Sequence, residues 1–205
     1  MIFPASASSL NDAVVELECG KVVAFPTETV YGLGGNAYSD DAVAEIFRCK
    51  GRSATKPLSI CYASFEKALD DVVPDDRALK LAEKFLPGSL TIVLKRKTSS
   101  KLSQLCSAGL ETIGIRVPDH SVALDLLSRL SFPLAAPSAN KSGGRSPVTA
   151  HQVLESLGFQ ENLMILDGGT CPAGVASTIV DLFHNRIVRI GALPVVEIKS
   201  VISIY

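Results

Sequence analysis

The chain has 205 residues, of which 47% are hydrophobic and 20% are charged. This composition supplies enough apolar material for a hydrophobic core and excludes intrinsic disorder. The 20 lysines and arginines are balanced by 21 acidic residues, so the net charge of −1 disfavours a globally basic nucleic-acid-binding protein. The length and the lack of a linker-like stretch predict a single domain over residues 1–205.

Five cysteines lie far apart in the sequence, and their number is odd. Neither a disulfide framework nor a zinc ribbon fits this spacing, so we expect reduced thiols in a cytoplasmic protein. The first nine residues lack the features of a signal peptide, and no apolar stretch approaches the length of a membrane span. The three histidines also lack metal-ligand spacing, so no metal site is predicted.

Helical patterns alternate with short β-rich runs along the chain. Capping residues, apolar spacing and stop signals predict helices that begin at Ser9, Ser39, Asp75 or Asp76, Ser121 and Thr149. The helix near Asp75 should bury Leu79, Ala82 and Leu86. Short apolar runs predict strands at 22–25, 58–61, 90–94, 113–117, 134–136 and 164–167.

The last quarter of the chain is predicted to be β-rich. Residues 177–182 and 186–190 flank His184 and Asn185, which indicates a hairpin, and the β-branched tail at 195–204 is expected to form an edge strand. The alternation of elements predicts an α/β domain. The hairpin favours a mixed sheet over a purely parallel one.

Four of the 20 cations fall within nine residues, at Arg48, Lys50, Arg52 and Lys56, with no acid among them. Cations at a helix C-terminus suit the helix dipole, which is one explanation for the cluster. Three cations on a short turn also repel one another unless an anion lies between them, and polyphosphate fits that requirement. The sequence contains neither a P-loop nor a dinucleotide-binding glycine motif.

Two polar segments, 26–34 and 136–147, each follow a short predicted strand. Strand ends in α/β sheets commonly line ligand crevices, and small hydroxyl, amide and glycine groups suit phosphate or ribose. An ordinary capped turn and a flexible surface loop are the alternatives. Residue chemistry alone therefore indicates a nucleotide or polyphosphate ligand in a basic cleft.

Six motifs in order resemble those of the YrdC-type threonylcarbamoyl-AMP synthases, in the short single-domain form. They comprise the segments 26–34, 50–58, 115–118, 138–140, 177–181 and 189–191. The resemblance covers about residues 10–192. It implies an open, twisted, mixed sheet flanked by helices, with a basic concave groove.

The resemblance also implies a reaction. L-threonine, bicarbonate and ATP would give threonylcarbamoyl-AMP and pyrophosphate, with Mg²⁺ as the accompanying ion. Downstream transferase proteins would then pass the threonylcarbamoyl group to an adenosine of tRNA. A weak direct contact with tRNA is left open, and no membrane association is expected.

Site roles follow from the same resemblance, residue by residue. Those implied to contact ATP are Lys50, Arg52 and Lys56 at the phosphates, with catalytic roles, and Ser138, Asn140, Ser146 and Arg189 elsewhere on the nucleotide. Those implied to contact L-threonine are Thr29 and Arg116, with Thr112 and Ser177 as weaker candidates that could instead bond strand edges. Arginine suits a carboxylate because it can bind both oxygens. Cys61 stands where some members carry a histidine.

Two other functions compete with the synthase hypothesis. The basic cluster could serve an RNA-binding module, although the chain has no tryptophan and no interleaving of basic and aromatic residues for base stacking. A carbamoyl-transfer domain of the kind found in hydrogenase-maturation proteins shares the implied fold.

Overall fold

The computed structural model describes residues 1–205. The helices are Ala7–Glu18 (α1), Asp40–Lys50 (α2), Phe65–Ala68 (α3), Asp76–Phe85 (α4), Gln104–Ser107 (α5), Ser121–Arg129 (α6), Ala150–Leu157 (α7) and Val195–Lys199 (α8). The strands are Ile2–Pro4 (β1), Val22–Phe25 (β2), Gly32–Asn36 (β3), Ser59–Cys61 (β4), Val72–Val73 (β5), Leu90–Arg96 (β6), Thr112–Arg116 (β7), Leu134–Ala135 (β8), Leu163–Asp167 (β9), Thr178–Asp181 (β10) and Arg186–Arg189 (β11). None of the helices has the length and apolar character needed to cross a membrane.

The strands form one mixed sheet in the order β1-β9-β2-β3-β8-β4-β7-β6-β10-β11, and β5 pairs with β6 at its side. The pairs β1/β9, β2/β9, β4/β7 and β6/β10 are parallel, and the other pairs are antiparallel. The predicted α/β class with a mixed, open sheet is confirmed, as is the hairpin of β10 and β11.

Strand β3 joins the two halves of the sheet. Its first part pairs with β2, from Gly32 opposite Phe25 to Gly34 opposite Val23, and its last two residues pair with β8. The sequence analysis did not predict this strand because glycines dominate it. A Cβ atom on Gly34 would lie 2.8 Å from the Phe25 ring, so the close packing of β3 against β2 requires glycine there.

Helices cover the two faces of the sheet unequally. The back face packs against α2, α4, α5, α7 and α8 in a cluster of 38 buried hydrophobic residues, whereas the front face packs against α1 and α6 in a cluster of 12. The front cluster draws on strands β2, β4, β8 and β9. Over β6, β7 and β10 the front face therefore has no helix upon it.

Capping residues begin three of the helices where the sequence predicts them. Ser39 and Thr149 accept hydrogen bonds from backbone N–H groups at the starts of α2 and α7, and Asp75 does the same for α4. Gly51 ends α2 in a left-handed conformation that glycine adopts without strain, and Gly158 ends α7.

Two predictions about helices were wrong in detail. Helix α1 begins three residues earlier than predicted, because the hydroxyl of Ser6 rather than that of Ser9 accepts the capping bond, and Ser9 is buried within the helix. In α4 the buried residues include Ala78 and Leu81, and Leu79 is 47% exposed. Of the three residues predicted to face inward, Ala82 is buried and Leu86 packs partly buried against the larger cluster, so only Leu79 was wrong.

The predicted edge strand at 195–204 was also wrong, because this segment contains helix α8. Pro194 begins the helix, and Ile198 and Ile202, one helical turn apart, are both buried. Burial of one helical face outweighs the β-propensity of the valines and isoleucines. After the helix, the last residue of the chain forms a backbone hydrogen bond with β11, in which the N–H of Ile187 donates to the carbonyl of Tyr205 at 2.9 Å.

The chain turns back tightly after β11. The N–H of Gly191 donates to the hydroxyl of Thr178 at 2.9 Å, and the N–H of Ala192 donates to the carbonyl of Ala176 at 2.9 Å. A Cβ atom on Gly191 would lie 2.2 Å from that carbonyl oxygen and 2.4 Å from the carbonyl carbon of Ser177. Backbone atoms cannot move aside, so this turn requires glycine.

We therefore expect Gly191→Ala to lower the free energy of unfolding by about 1–3 kcal/mol, the usual cost of overpacking. Urea denaturation of both proteins measures the difference. The matched control is Ala192→Gly, which removes a methyl group from the neighbouring position and should cost less. A change below about 0.5 kcal/mol for Gly191→Ala, within the usual range of a surface substitution, would contradict the steric argument.

Candidate active site

A cavity of about 140 Å³ lies on the front face of the sheet, where no helix covers it. Ser59, Thr91 and Ile179 contribute to its floor from β4, β6 and β10, and alternation along these strands places them on the front face. The charged residues of the lining are Arg52, Arg116 and Arg189, and no acidic residue lines it. The excess of positive charge is suited to an anionic ligand.

Arg116 is the last residue of β7 and is 8% exposed. Its Nη2 donates to Oε1 of Glu28 at 2.7 Å and to the hydroxyl of Thr29 at 2.7 Å. Its Nε is buried without any hydrogen-bond partner. An unsatisfied buried donor costs about 1–3 kcal/mol, and Arg116 carries this cost while it lines the cavity.

The turn after β2 brings Thr29 to Arg116. The hydroxyl of Thr27 donates to the carbonyl of Val30 at 2.7 Å and accepts from the N–H groups of Thr29 and Val30. This local bonding is typical of threonine in turns and keeps the side chain of Thr29 fully buried against the arginine. The structure thus brings together Thr29 and Arg116, which the sequence analysis assigned to one ligand.

Arg189 enters the cavity from β11. Its Nε donates to the carbonyl of Ser177 at 2.9 Å and its Nη2 to the hydroxyl of Ser177 at 3.2 Å, while that hydroxyl also bonds to the hydroxyl of Thr91 at 2.8 Å. Burial lowers the pKa of Arg189, and the positive charge of Arg116 lowers it further. Two guanidinium groups that repel each other across one cavity favour an anion between them.

Arg52 follows the glycine that ends α2. Its Nη2 donates to the carbonyl of Pro57 at 2.9 Å, which fixes the turn between α2 and β4. Burial lowers the pKa of Arg52, and no carboxylate pairs with it. Lys56 lies on the same turn and is exposed. Both side chains are therefore available to an anion.

Lys50 is the last residue of α2 and is 2% exposed. Its Nζ donates to the carbonyl of Asn140 at 2.6 Å and to the carbonyl of Ser138. Burial lowers the pKa of Lys50 to about 8, and the charges of Arg52 and Lys141 contribute. The ammonium group thus ties the 138–140 loop to the end of α2, a contact that sequence reasoning did not anticipate.

The side chains of Ser138 and Asn140 shape the loop that Lys50 holds. The hydroxyl of Ser138 donates to Oδ1 of Asn140 at 2.6 Å, and Nδ2 of Asn140 donates to the carbonyl of Gly144 at 2.8 Å. Ser138 also lines the cavity. Ser146 lies beyond it, in a separate depression of about 350 Å³ beside Arg145.

Thr112 is not brought to the site. It is the first residue of β7 and pairs with Lys95, whereas Arg116 is the last residue of that strand. Four residues of extended chain separate the two by about 13 Å. Of the residues assigned to L-threonine from the sequence, the structure therefore brings Thr29, Arg116 and Ser177 near one cavity and leaves Thr112 apart.

The sequence analysis missed Glu28 and Thr91. Glu28 forms an ion pair with Arg116, and Thr91 bonds to Ser177 on the cavity floor. The position of Glu28, as the single acid within the polar segment 26–34, was the signal that could have identified it. Thr91 carried no such signal, because it lies within an ordinary β-rich run.

Cys61 is the last residue of β4 and pairs in register with Arg116. Its side chain is buried in the front hydrophobic cluster. Burial raises the pKa of the Cys61 thiol to about 11, so the thiol is neutral near pH 7. At this position the chain presents an apolar group.

The side chains around the cavity are a poor match for magnesium. No group of three or more histidine, cysteine, aspartate or glutamate residues is placed to hold a metal ion, and the cavity lining is cationic. Magnesium prefers carboxylate and water oxygens. The nearest carboxylate described above, that of Glu28, is engaged by Arg116.

Comparison with known proteins gives consistent results. The model of the Sua5, YciO and YrdC family, described as telomere recombination, matches residues 16–191. The threonylcarbamoyl-AMP synthase of Pyrococcus abyssi is 46% identical over 188 residues, which is 90% of this chain and 54% of that protein. The synthase of Bacillus subtilis is 42% identical over 197 residues, which is 95% of this chain and 56% of that protein.

A solved structure of Pyrococcus abyssi Sua5 complexed with L-threonine superposes with a TM-score of 0.94 at 41% identity. The superposition covers 98% of this chain and 61% of that one. This chain spans about half the length of the two curated relatives. The matches in sequence and in fold show that the chain belongs to the Sua5/YciO/YrdC family.

Proposed function

We propose that the chain is a threonylcarbamoyl-AMP synthase, which converts L-threonine, bicarbonate and ATP into threonylcarbamoyl-AMP and pyrophosphate. The observation that carries the proposal is the buried Arg116, which lacks one hydrogen-bond partner in a cavity lined by two further arginines. The name shared by the curated relatives supports the same reaction.

The cavity suits the amino acid rather than the nucleotide. Its volume of about 140 Å³ is well below that of pockets that enclose drug-sized ligands, which measure about 300–1,000 Å³. We assign the carboxylate of threonine to Arg116 and a further polar contact to Thr29. Ser177 lies on the floor of the same cavity. The Pyrococcus abyssi relative, solved as a complex with L-threonine, supports threonine as the ligand.

The phosphates of ATP would lie at the mouth of the cavity, against Arg52, Lys56 and Arg189. The buried ammonium of Lys50 would contribute its positive charge to the phosphate site while it holds the 138–140 loop in place. Ser138 and Asn140 would present that loop to the nucleotide. A contact from Ser146 requires the nucleotide to extend along the loop beyond the cavity.

The chemistry requires the arrangement of cations found around the cavity. The amine of threonine and bicarbonate form a carbamate, which is a weak nucleophile. A carbamate oxygen then bonds to the α-phosphorus of ATP as the bond to the pyrophosphate oxygen breaks, and the leaving group takes the electron pair. Positioned guanidinium and ammonium groups hold the reactants together and stabilise the charge that develops on pyrophosphate.

The remaining partners follow from the reaction. Magnesium is included only as the ion that accompanies the ATP phosphates, because the side chains around the cavity supply no carboxylate cluster for it. The product would pass to transferase proteins that modify tRNA, and a weak contact of this chain with tRNA is compatible with the exposed basic turn at 52–56.

We expect pyrophosphate release from ATP to require both L-threonine and bicarbonate, and Arg52→Ala to lower its rate at least about a hundredfold. Loss of one preorganised donor to a developing negative charge costs about that factor. A coupled assay of pyrophosphate measures the rate, with each substrate omitted in turn. The matched control is Arg129→Ala, which removes an exposed arginine paired with Asp125 on α6.

Three results would contradict this proposal. Release with threonine alone would indicate ordinary aminoacyl-adenylate chemistry. Release that prefers carbamoyl phosphate over threonine would indicate the carbamoyl-transfer function. Absence of release, together with salt-dependent RNA binding, would indicate the RNA-binding function.

We also expect the affinity of the free protein for ATP to fall as the pH rises through about 8. The pKa of Lys50 lies near that value, so the ammonium loses its charge over this range and attracts the phosphates less. Lys50→Arg should remove this dependence, because a guanidinium stays protonated. Titration calorimetry with ATP alone, at about pH 7 and about pH 9, measures both proteins. Equal affinities of the wild type at both values would refute the role of the Lys50 charge.

A further inference from the structure

Glu28 is the one acidic side chain bound to a cavity arginine. Its side chain is 13% exposed, and its carboxylate accepts a hydrogen bond from Nη2 of Arg116 at 2.7 Å. Oε1 also accepts from the hydroxyl of Ser89 at 3.1 Å, and Oε2 accepts from the N–H of Asp119 at 3.1 Å. Donors from two segments, Ser89 before β6 and the end of β7 with the residues that follow it, therefore fix this carboxylate.

The ion pair determines how Arg116 faces the cavity. A guanidinium is a rigid plane, so holding Nη2 between Glu28 and Thr29 also sets the direction of Nε, which has no partner. Without Glu28, Nη2 would keep the single strong contact to Thr29, and the plane could turn. The carboxylate of Glu28 thus orients the guanidinium of Arg116, which lines the cavity.

The ion pair also changes the charge at one end of the cavity. Arg52 and Arg189 have no carboxylate partner, whereas Arg116 is neutralised by Glu28. A phosphate bound at Arg116 would therefore lie close to a negative carboxylate and be repelled. A free amino acid carries one carboxylate and one ammonium and has no net charge, so it meets no such net repulsion.

We propose that Glu28 is a positioning and specificity-determining residue that orients Arg116 for the carboxylate of a zwitterionic amino acid and keeps phosphate away from that end of the cavity. This inference rests on the proposed function, in which an amino acid and a triphosphate occupy adjoining parts of one cationic site. Discrimination between a zwitterionic amino acid and an anionic phosphate then comes from a single internal carboxylate.

The test is the binding of L-threonine, measured by titration calorimetry without ATP, in the absence and presence of inorganic phosphate. In the wild type we expect phosphate to leave the affinity for threonine unchanged. In Glu28→Gln, which keeps the size and most of the hydrogen bonds but loses the charge, we expect affinity to fall about tenfold or more and phosphate to compete with threonine. Hydrogen bonds that involve a charged group support an effect of this size.

Two further variants separate charge from structure. Glu28→Asp keeps the charge on a shorter side chain, so threonine should bind more weakly while phosphate still fails to compete. Glu16 lies on α1, away from the cavity, and forms an ion pair with Lys21. Glu16→Gln removes the same charge there and should change neither the affinity for threonine nor its insensitivity to phosphate. Thermal unfolding verifies that each variant is folded. If Glu28→Gln does not fold, the comparison of the wild type with Glu28→Asp is the test.

The outcomes are distinguishable. Unchanged threonine affinity in Glu28→Gln, or weakened affinity without phosphate competition in that variant, would overturn the inference and leave the proposed function standing. Phosphate competition in Glu28→Asp would also overturn it. A wild-type protein that binds no threonine would overturn the proposed function, and the inference with it.

Discussion

The site depends on the buried ammonium of Lys50, which has no carboxylate partner. A buried charge is costly, and here two backbone carbonyls of the 138–140 loop compensate for part of the lost hydration. The same bonds place Ser138 on the wall of the cavity and bring the end of α2, with Arg52 immediately after it, to the same place. One side chain thus holds together the 138–140 loop and the turn after α2, which could surround the phosphates.

Positive charge is distributed unevenly around the cavity, so its two ends differ in how strongly they attract an anion. Arg52 and Arg189 have no carboxylate partner, whereas Arg116 forms an ion pair with Glu28. Burial lowers the pKa of both Arg52 and Arg189, which means that their charged forms are destabilised in the free protein. A polyanion would relieve that destabilisation, so under the proposed function part of the affinity for the ATP phosphates would be built into the ligand-free fold.

The sequence predicted the parts of the fold that local chemistry determines. Caps at Ser39 and Thr149 and the apolar strands were right, because side-chain hydrogen bonds and apolar runs act within a few residues. Strand β3 and helix α8 were not predicted from the sequence, because tertiary packing overrides local propensity in both. At the site, motif residues such as Thr29 and Arg116 were found together, but the Lys50 contact and the role of Glu28 depend on segments distant in sequence.

Strand β3 has a consequence for how the protein can move. Because it pairs with β2 at one end and β8 at the other, the sheet is continuous from one edge to the other. A hinge between two halves of the molecule would have to break ladder hydrogen bonds. The two halves therefore cannot hinge over the cavity without breaking those bonds, and in the proposed reaction the nucleotide would have to shield the carbamate from water.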